Sequence, residues 1–217
     1  EKQYYKSNMR ATSGITYTIE VSHPDYKTVT AQAEVPEGIA IQAIDTSTIV
    51  DNGYEVYRLD ITFEDPIGTN YYDVKLHYAT VSPIYDEQGN IIAYAPMVTP
   101  VYYYPANENL LNGNAGTAFS DDFFEGQSFQ LNLNVDKYYF ENSFFGDTTT
   151  QSFPGILLIE LRTISEDYFL YEQSLNKYFV AEGDPFAQPV QVTTNIDGGL
   201  GIFAGYGVST DTFTIKN

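Results

Sequence analysis

The sequence predicts an all-β protein, on three observations. Apolar and polar residues alternate with a period of two over several segments, as they do in half-buried strands. Tyr and Thr, which both favour strands, are abundant, with 20 Tyr among 217 residues. The 10 prolines and 16 glycines supply the many turns of an antiparallel fold. We therefore expect a β-sandwich of immunoglobulin-like or Greek-key type with one helix near the C-terminus.

The first predicted element is a β-hairpin within residues 15–36. Apolar and polar residues alternate on both sides of a turn at 23–26, which contains a proline. Two strands alone are not stable, so this hairpin must pack on other parts of the protein. We interpret residues 1–37 as a partial immunoglobulin-like unit and residues 38–217 as the β-sandwich domain.

The sandwich is predicted to open with a strand over 55–63. The next strand, over 71–80, turns Tyr72, Val74, Leu76 and Tyr78 inward. Residues 86–90, Asp-Glu-Gln-Gly-Asn, predict the turn of a hairpin. Further strands are expected at 98–104, 129–135, 156–162 and 206–215.

One helix is expected over about 166–181. Ser165 is a favourable N-cap, and the acidic residues Glu166 and Asp167 oppose the positive end of the helix dipole. Gly183 and Pro185 would end the helix. The predicted inward face consists of Tyr168, Tyr171, Leu175, Tyr178 and Phe179.

Composition excludes several functions. The formal net charge of −19 would repel nucleic-acid phosphates, so we expect no nucleic-acid partner. The absence of Cys removes disulfides, thiolate metal sites and cysteine nucleophiles. No apolar run approaches ~18 residues, so no transmembrane helix is expected. The acidic balance fits either a solvated surface or one that attracts cations.

Catalytic motifs are poorly supplied. Residues 199–204 fit the dinucleotide pattern G-x-G-x-x-A, but the following residues predict a strand where that motif needs a helix. Neither His23 nor His77 has a nucleophile elbow near it, and His77 reads as a surface residue of the 71–80 strand with Asp73 and Lys75. We expect a protein that is not an enzyme. A glycan hydrolase that uses a pair of carboxylates is the alternative.

Aromatic clusters beside the long irregular stretch 105–128 are the better functional candidates, because Tyr suits interfaces. Burial on both faces of a strand would explain the same clusters equally well. The candidate partner surface comprises Tyr102, Tyr103, Tyr104, Phe123, Phe124, Tyr138 and Tyr139. We expect no cofactor but leave calcium open, with Asp121, Asp122 and Glu125 as hard oxygen ligands and a solvated loop as the alternative.

Short motifs within residues 54–206 carry a family resemblance. They are Asp65-Pro66-Ile67-Gly68 with Tyr71 and Tyr72, the helix start at 165–171, residues 184–187 with Pro189 and Val190, and the glycine-rich 195–206. Together they resemble a family of Bacteroidota outer-membrane lipoproteins defined by a domain of unknown function, often encoded beside TonB-dependent transporters. We expect 195–206 to close the sandwich and to bury Leu200, Ile202 and Phe203.

The resemblance implies a location and a broad role. It implies a lipid anchor upstream of Glu1, at the outer membrane or cell surface, as the sole membrane attachment. It also implies an accessory or binding role in nutrient uptake, with a TonB-dependent transporter as the partner and the ligand unknown. The family has no established catalytic residues to carry over. A structural, adhesin-like surface domain is a further alternative.

Overall fold

The structure, a computed structural model, describes residues 6–106, 117–141, 155–182 and 186–215. Within these ranges the chain forms eleven strands and two helices. The strands are β1 Thr16–His23, β2 Tyr26–Glu34, β3 Ile41–Asp51, β4 Tyr54–Glu64, β5 Tyr71–Tyr85, β6 Ile91–Val101, β7 Tyr103–Pro105, β8 Ala118–Ser120, β9 Ser128–Asp136, β10 Gly155–Ile164 and β11 Tyr206–Ile215. The helices are α1 Tyr138–Glu141 and α2 Glu166–Glu182.

The strands form three antiparallel sheets. The five-stranded sheet has the order β11-β10-β5-β6, with β8 paired to the start of β5. The four-stranded sheet has the order β3-β4-β9-β7, and β1 and β2 form a separate two-stranded sheet. The prediction of an all-β sandwich with a helix near the C-terminus is confirmed.

The core lies between the two larger sheets and follows from the alternation of their strands. Tyr72, Val74 and Leu76 of β5 are buried, as the sequence predicts. The facing sheet contributes Phe63, whose ring lies 5.3 Å from the Tyr72 ring. The remaining large, fully buried side chains are Leu59, Ile61, Phe119, Leu131, Leu133, Val135, Leu157, Ile159 and Leu161.

Strand β3 was missed, because the sandwich was expected to open at residue 55. It precedes β4 and pairs with it along its whole length. The two strands meet at Asn52 and Gly53, whose φ angles of 49° and 85° are those of a type I′ turn. Asn-Gly is the strongest short-range hairpin signal, so the sequence did contain the evidence for β3.

The proline-rich segment after the 86–90 turn also differs from expectation. Strand β6 continues through Pro96 and Pro100, which is possible because β6 lies at the edge of its sheet. The chain then changes sheet at Tyr102, and β7 pairs with β9. The expected strand over 98–104 is therefore two strands in different sheets.

Helix α2 begins as predicted, but a different face is buried. The Ser165 hydroxyl accepts a hydrogen bond from the Tyr168 amide at 3.4 Å, as an N-cap does. Phe169 is the buried residue of the helix, and its ring stacks on Tyr71 at 4.6 Å. Tyr178 and Phe179 are exposed, so their predicted inward position is wrong.

The glycine-rich segment does not place Leu200 in the core, since that side chain is 92% exposed. The segment instead holds the N-terminal hairpin. Thr30 of β2 and Asp197 exchange two backbone hydrogen bonds, at 2.8 and 3.3 Å. The Asn195 side chain fixes the loop by bonding both the N–H and the C=O of Phe203, at 2.9 and 2.8 Å.

Two glycines allow the hairpin and the sandwich to meet at backbone distance. A Cβ on Gly205 would lie 2.5 Å from the Val35 side chain. A Cβ on Gly207 would lie 2.6 Å from both the Pro36 carbonyl oxygen and the Gly38 Cα. Real Cβ atoms do not approach backbone so closely, so position 207 requires glycine, while a side chain at 205 would force Val35 to move.

We expect Gly207→Ala to lower the free energy of unfolding by about 3 kcal/mol, because residues 36–38 would have to move. Gly201→Ala is the comparison: its Cβ meets nothing within 4 Å, but its φ of +118° is unfavourable for alanine. That change should cost about 1–2 kcal/mol. Urea denaturation of both variants measures the difference, and equal losses would contradict the close approach at Gly207.

Candidate binding surface

Helix α2 packs against β8 and the start of β5, and charge is buried on the outer face of the five-stranded sheet beside it. Asp73 is 1% exposed, although the sequence placed it on a surface face with His77. Its carboxylate accepts a hydrogen bond from the Thr117 hydroxyl and lies 3.1 Å from Lys75 Nζ and 3.9 Å from Arg162 Nη1. A buried carboxylate needs such partners, and here two cations supply them.

The other half of the same outer face carries no charged side chain. Cross-strand partners share a face, so the register identifies its members. Val98 of β6 pairs with Ala79 of β5, which pairs in turn with Ile156 of β10. We call this surface the uncharged face, and it consists of Ile92, Tyr94, Pro96, Val98, Pro100, His77, Ala79, Val81, Ile156 and Leu158.

Much of the uncharged face is accessible to solvent. Ile92 is 64% exposed and Val98 is 56% exposed, and Tyr94 and Ile156 are also exposed. Such an alternating strand normally turns polar residues to solvent. In β6 the solvent-facing positions are apolar from Ile92 to Pro100.

Part of this face lies on a ribbon that extends beyond the sandwich. Among the described residues, the last residue of β5 that pairs with β10 is Ala79, whereas pairing with β6 continues to Tyr85. The six further residues correspond to a two-stranded extension of about 20 Å. An isolated two-stranded ribbon is marginally stable in water, so an apolar ribbon of this length gains stability when it packs against another surface.

Hydrogen bonds stiffen the tip of the ribbon. The Asp86 carboxylate accepts bonds from the Asn90 side chain at 3.0 Å and from the Asn90 and Gln88 amides at 2.8 and 3.0 Å. These hydrogen bonds stabilise the charged carboxylate and so lower the pKa of Asp86, and the bond from the Asn90 side chain has the largest effect. The 86–90 turn predicted from the sequence is thus confirmed, and Asp86 acts in it as a turn residue.

Charge borders the uncharged face at both ends. Asp86 and Glu87 lie at the ribbon tip, and Lys75 and Glu160 lie where α2 begins to cover the sheet. An apolar centre with a polar border is the usual composition of a protein–protein interface. This surface can therefore exclude water from an apolar partner while the border fixes the orientation.

The predicted aromatic residues do not form one surface. Tyr103 and Phe124 belong to the core: the Tyr103 hydroxyl bonds the Val74 carbonyl at 2.8 Å, and Phe124 stacks on Phe129 at 3.8 Å. Burial raises the pKa of Tyr103.

The other predicted aromatics lie at separate places. Tyr102 is exposed, with its ring 6.4 Å from the half-buried Tyr139. Tyr104 is partly exposed and donates a hydrogen bond to Asp51 at 2.9 Å. Phe123 is exposed on the loop between β8 and β9, whereas the side chain of Tyr138 lies outside the described residues. This partner surface stays a prediction for the exposed members.

Asp65 and Asp121 are buried carboxylates that join two loops at one end of the sandwich. Asp121 accepts hydrogen bonds from the Asn70 amide at 2.7 Å and from its side chain at 3.2 Å. Asp65 accepts bonds from the Tyr72 hydroxyl and from the Gly126 amide, the latter at 2.7 Å. Burial raises the pKa of Tyr72, and its hydrogen bond to the Asp65 carboxylate raises it further. The hydroxyl therefore stays protonated and acts as the donor.

The three residues considered for calcium have different roles. Asp121 is buried and engaged by Asn70, Asp122 accepts the Ser120 hydroxyl at 2.7 Å, and Glu125 is exposed. In the part of the chain that the structure describes, no three His, Asp or Glu side chains group as metal ligands. A Ca²⁺ site needs six or more converging oxygens. Calcium binding therefore stays a prediction without support from this geometry.

A groove of about 300 Å³ lies between the N-terminal hairpin and the start of α2. Glu34, Glu166 and Asp167 line it, together with Thr16, Gln32, Ala33 and Ser165. Asp167 accepts a hydrogen bond from Asn195 at 3.2 Å. A hydrolase that uses a pair of carboxylates could act in this groove, and that alternative also stays a prediction.

The sequence interpretation missed the uncharged face, although a signal for it exists. Residues 91–106 contain no charged residue, and residues 76–85 contain none apart from His77. In a chain with 18% charged residues, two hydrogen-bonded strands of this composition stand out. The prolines within 91–106 predict breaks in a strand, and this signal masks the absence of charged residues.

The fold and this surface define an all-β sandwich protein with a large, exposed, uncharged sheet face. The sequence matches the family described as Domain of unknown function (DUF4249) over residues 1–212, so the chain belongs to that family. Comparison with curated proteins gave no match, and comparison with solved structures also gave none. Within the described ranges, neither helix has the length and apolar character needed to cross a membrane.

We expect Asp121→Ala to lower the free energy of unfolding by about 2 kcal/mol, because it leaves the Asn70 amide without its partner. Asp122→Ala removes a neighbouring but exposed carboxylate and should change stability by less than about 0.5 kcal/mol. Urea denaturation without and with Ca²⁺ tests both. Stabilisation of the unsubstituted protein by Ca²⁺, lost in both variants, would instead show a calcium site.

Proposed function

We propose that this protein is a binding or accessory protein without catalytic activity, which attaches to a partner protein through its uncharged face. The observation that carries the proposal is the contiguous apolar surface on β5, β6 and β10, in a chain whose formal net charge is −19. Exposed apolar patches of this kind mark interaction sites in soluble proteins.

The energetics support a partner of substantial affinity. Full burial of a Val or Ile side chain gains about 1.5–3 kcal/mol, and Ile92 and Val98 are now more than half exposed. Tyr94 adds an aromatic ring beside them, of the residue type enriched in the centres of interfaces. Edge-to-edge strand addition is disfavoured, because Pro96 and Pro100 lack the backbone N–H that such pairing needs.

We further propose that the partner is a TonB-dependent transporter of the outer membrane and that a lipid anchor holds this protein beside it. The support is the resemblance to lipoproteins encoded beside such transporters. One of its motifs has a structural role here: Asp65 holds the loop of Asp65-Pro66-Ile67-Gly68 against Gly126. Family membership alone gives no function, so this association rests on the resemblance and on the exposed face.

The test is co-purification with the transporter encoded beside the gene, in detergent, with variants of the uncharged face. Ile92→Lys and Val98→Lys would each place a charge in the centre of the contact, and we expect affinity to fall by at least about tenfold. Val50→Lys is the matched control, because Val50 is an apolar strand residue that is 69% exposed elsewhere, on β3. It should bind as the unsubstituted protein does.

Three results would contradict the proposal. Equal losses for Val50→Lys and Val98→Lys would show that the uncharged face is not the contact. Absence of any complex, together with activity on glycans that Glu166→Gln abolishes, would favour the hydrolase in the groove. Absence of both, with unchanged melting in ligand screens, would favour a structural surface domain.

A further inference from the structure

A second apolar surface lies at the end of the sandwich that carries the Asp65 and Asp121 contacts. We call it the loop end and define it as residues 64–70 and 120–127. Ile67 is 92% exposed and Phe123 is 72% exposed at the tips of these two loops. The loops touch each other, since a Cβ on Gly126 would lie 3.4 Å from the Ile67 side chain.

Hydrogen bonds on the buried side of the loop end hold its two loops in one conformation. The hydrogen bonds of Asp65 to Tyr72 and Gly126, and of Asp121 to Asn70, tie each loop to the other or to the start of β5. Behind Phe123, the Phe124 ring is anchored by stacking on Phe129. Side chains displayed on fixed loops lose little conformational entropy on binding, which favours affinity.

The charge of the loop end has one sign. Five carboxylates and no Lys or Arg occur in its two segments, with Glu64, Asp122 and Glu125 exposed. The neighbouring α2 begins with Glu166 and Asp167. The pKa of Tyr71 is raised, first by burial and further by the nearby carboxylates of Glu166 and Asp122. The second effect is the one expected of a local excess of negative charge.

Four cations of the sandwich pair with carboxylates outside the loop end: Arg58–Asp60, Lys75–Asp73, Lys137–Glu55 and Arg162–Glu160. A basic partner would supply the neutralising charge that the two loop segments themselves lack. A second copy of this chain would bring a further formal charge of −19, so self-association through this end is disfavoured.

We propose that the loop end is a docking site for a basic protein segment, in which apolar side chains contact Ile67 and Phe123 while flanking Lys or Arg residues face the carboxylates. The apolar contact supplies affinity, and the complementary charge supplies orientation and rate. This site is separate from the uncharged face, because the loop end precedes β5 at Tyr71 whereas the uncharged face begins at His77 toward the other end of that strand. The protein can thus hold two partners, or two parts of one partner.

The test uses a synthetic probe peptide of alternating Lys and Phe or Leu residues and the ¹⁵N-labelled protein. We expect chemical-shift changes centred on 64–70 and 120–127, weakened by added salt. A second peptide, with Ser in place of Phe and Leu, keeps the positive charge and should bind at least about tenfold more weakly. Shifts spread over the whole acidic surface, or equal affinity for the two peptides, would overturn the proposal.

Matched variants separate the two docking sites. Phe123→Ser should lower the affinity for the peptide of alternating Lys and Phe or Leu by about tenfold. Tyr54→Ser removes a similarly exposed aromatic, at 76%, from the β3–β4 turn and should not weaken it. Val98→Lys should leave peptide binding intact, so that failure at the uncharged face is distinguishable from failure here. Unchanged binding by Phe123→Ser, in a variant that melts normally, would also overturn the proposal.

Discussion

The packing of α2 against β8 and the start of β5 in the five-stranded sheet determines how charge is distributed over the molecule. The inner face of this sheet is buried along the core. In the part of the chain that the structure describes, the outer face is covered where α2 and Thr117 pack beside the start of β5. Under the helix, Asp73 is tolerated because Lys75 and Arg162 neutralise it. Beyond the helix the same strands present apolar side chains to solvent. One sheet thus carries buried charge and exposed apolar surface side by side, the reverse of the usual arrangement.

The N-terminal hairpin depends on a different contact, at the seam where residues 35–38 meet Gly205 and Gly207. A two-stranded sheet cannot bury enough surface to stand alone. The bonds between Thr30 and Asp197 and the side chain of Asn195 extend the seam into the glycine-rich segment. The segment that carries the family resemblance is therefore the connection between the two parts of the chain, which explains its glycines better than core packing does.

Alternation predicted β4, β5 and β9 and the buried Tyr72, Val74 and Leu76, because a period of two is a local property of a strand, and a continuous apolar run predicted β10. It assigns residues to two faces but does not reveal what covers each one. Asp73 and Val98 both lie on the outer face, and their opposite exposures depend on where α2 packs. Strand β3 was missed because its polar centre at Thr46, Ser47 and Thr48 hides the pattern that the Asn52-Gly53 turn should have completed. The sequence therefore predicted that the candidate site would be an aromatic and apolar surface, but it did not predict which strands carry that surface.

The prolines of β6 give the uncharged face a further property. An exposed apolar strand at a sheet edge is the usual starting point for aggregation, because free N–H and C=O groups can template another strand. Pro96 and Pro100 interrupt that row of donors while leaving the apolar side chains in place. The face of β6 can therefore make apolar contacts, whereas its edge cannot pair regularly with another strand. Edge-to-edge association of copies of this chain along β6 is therefore disfavoured, as it would not be for a proline-free strand of the same hydrophobicity.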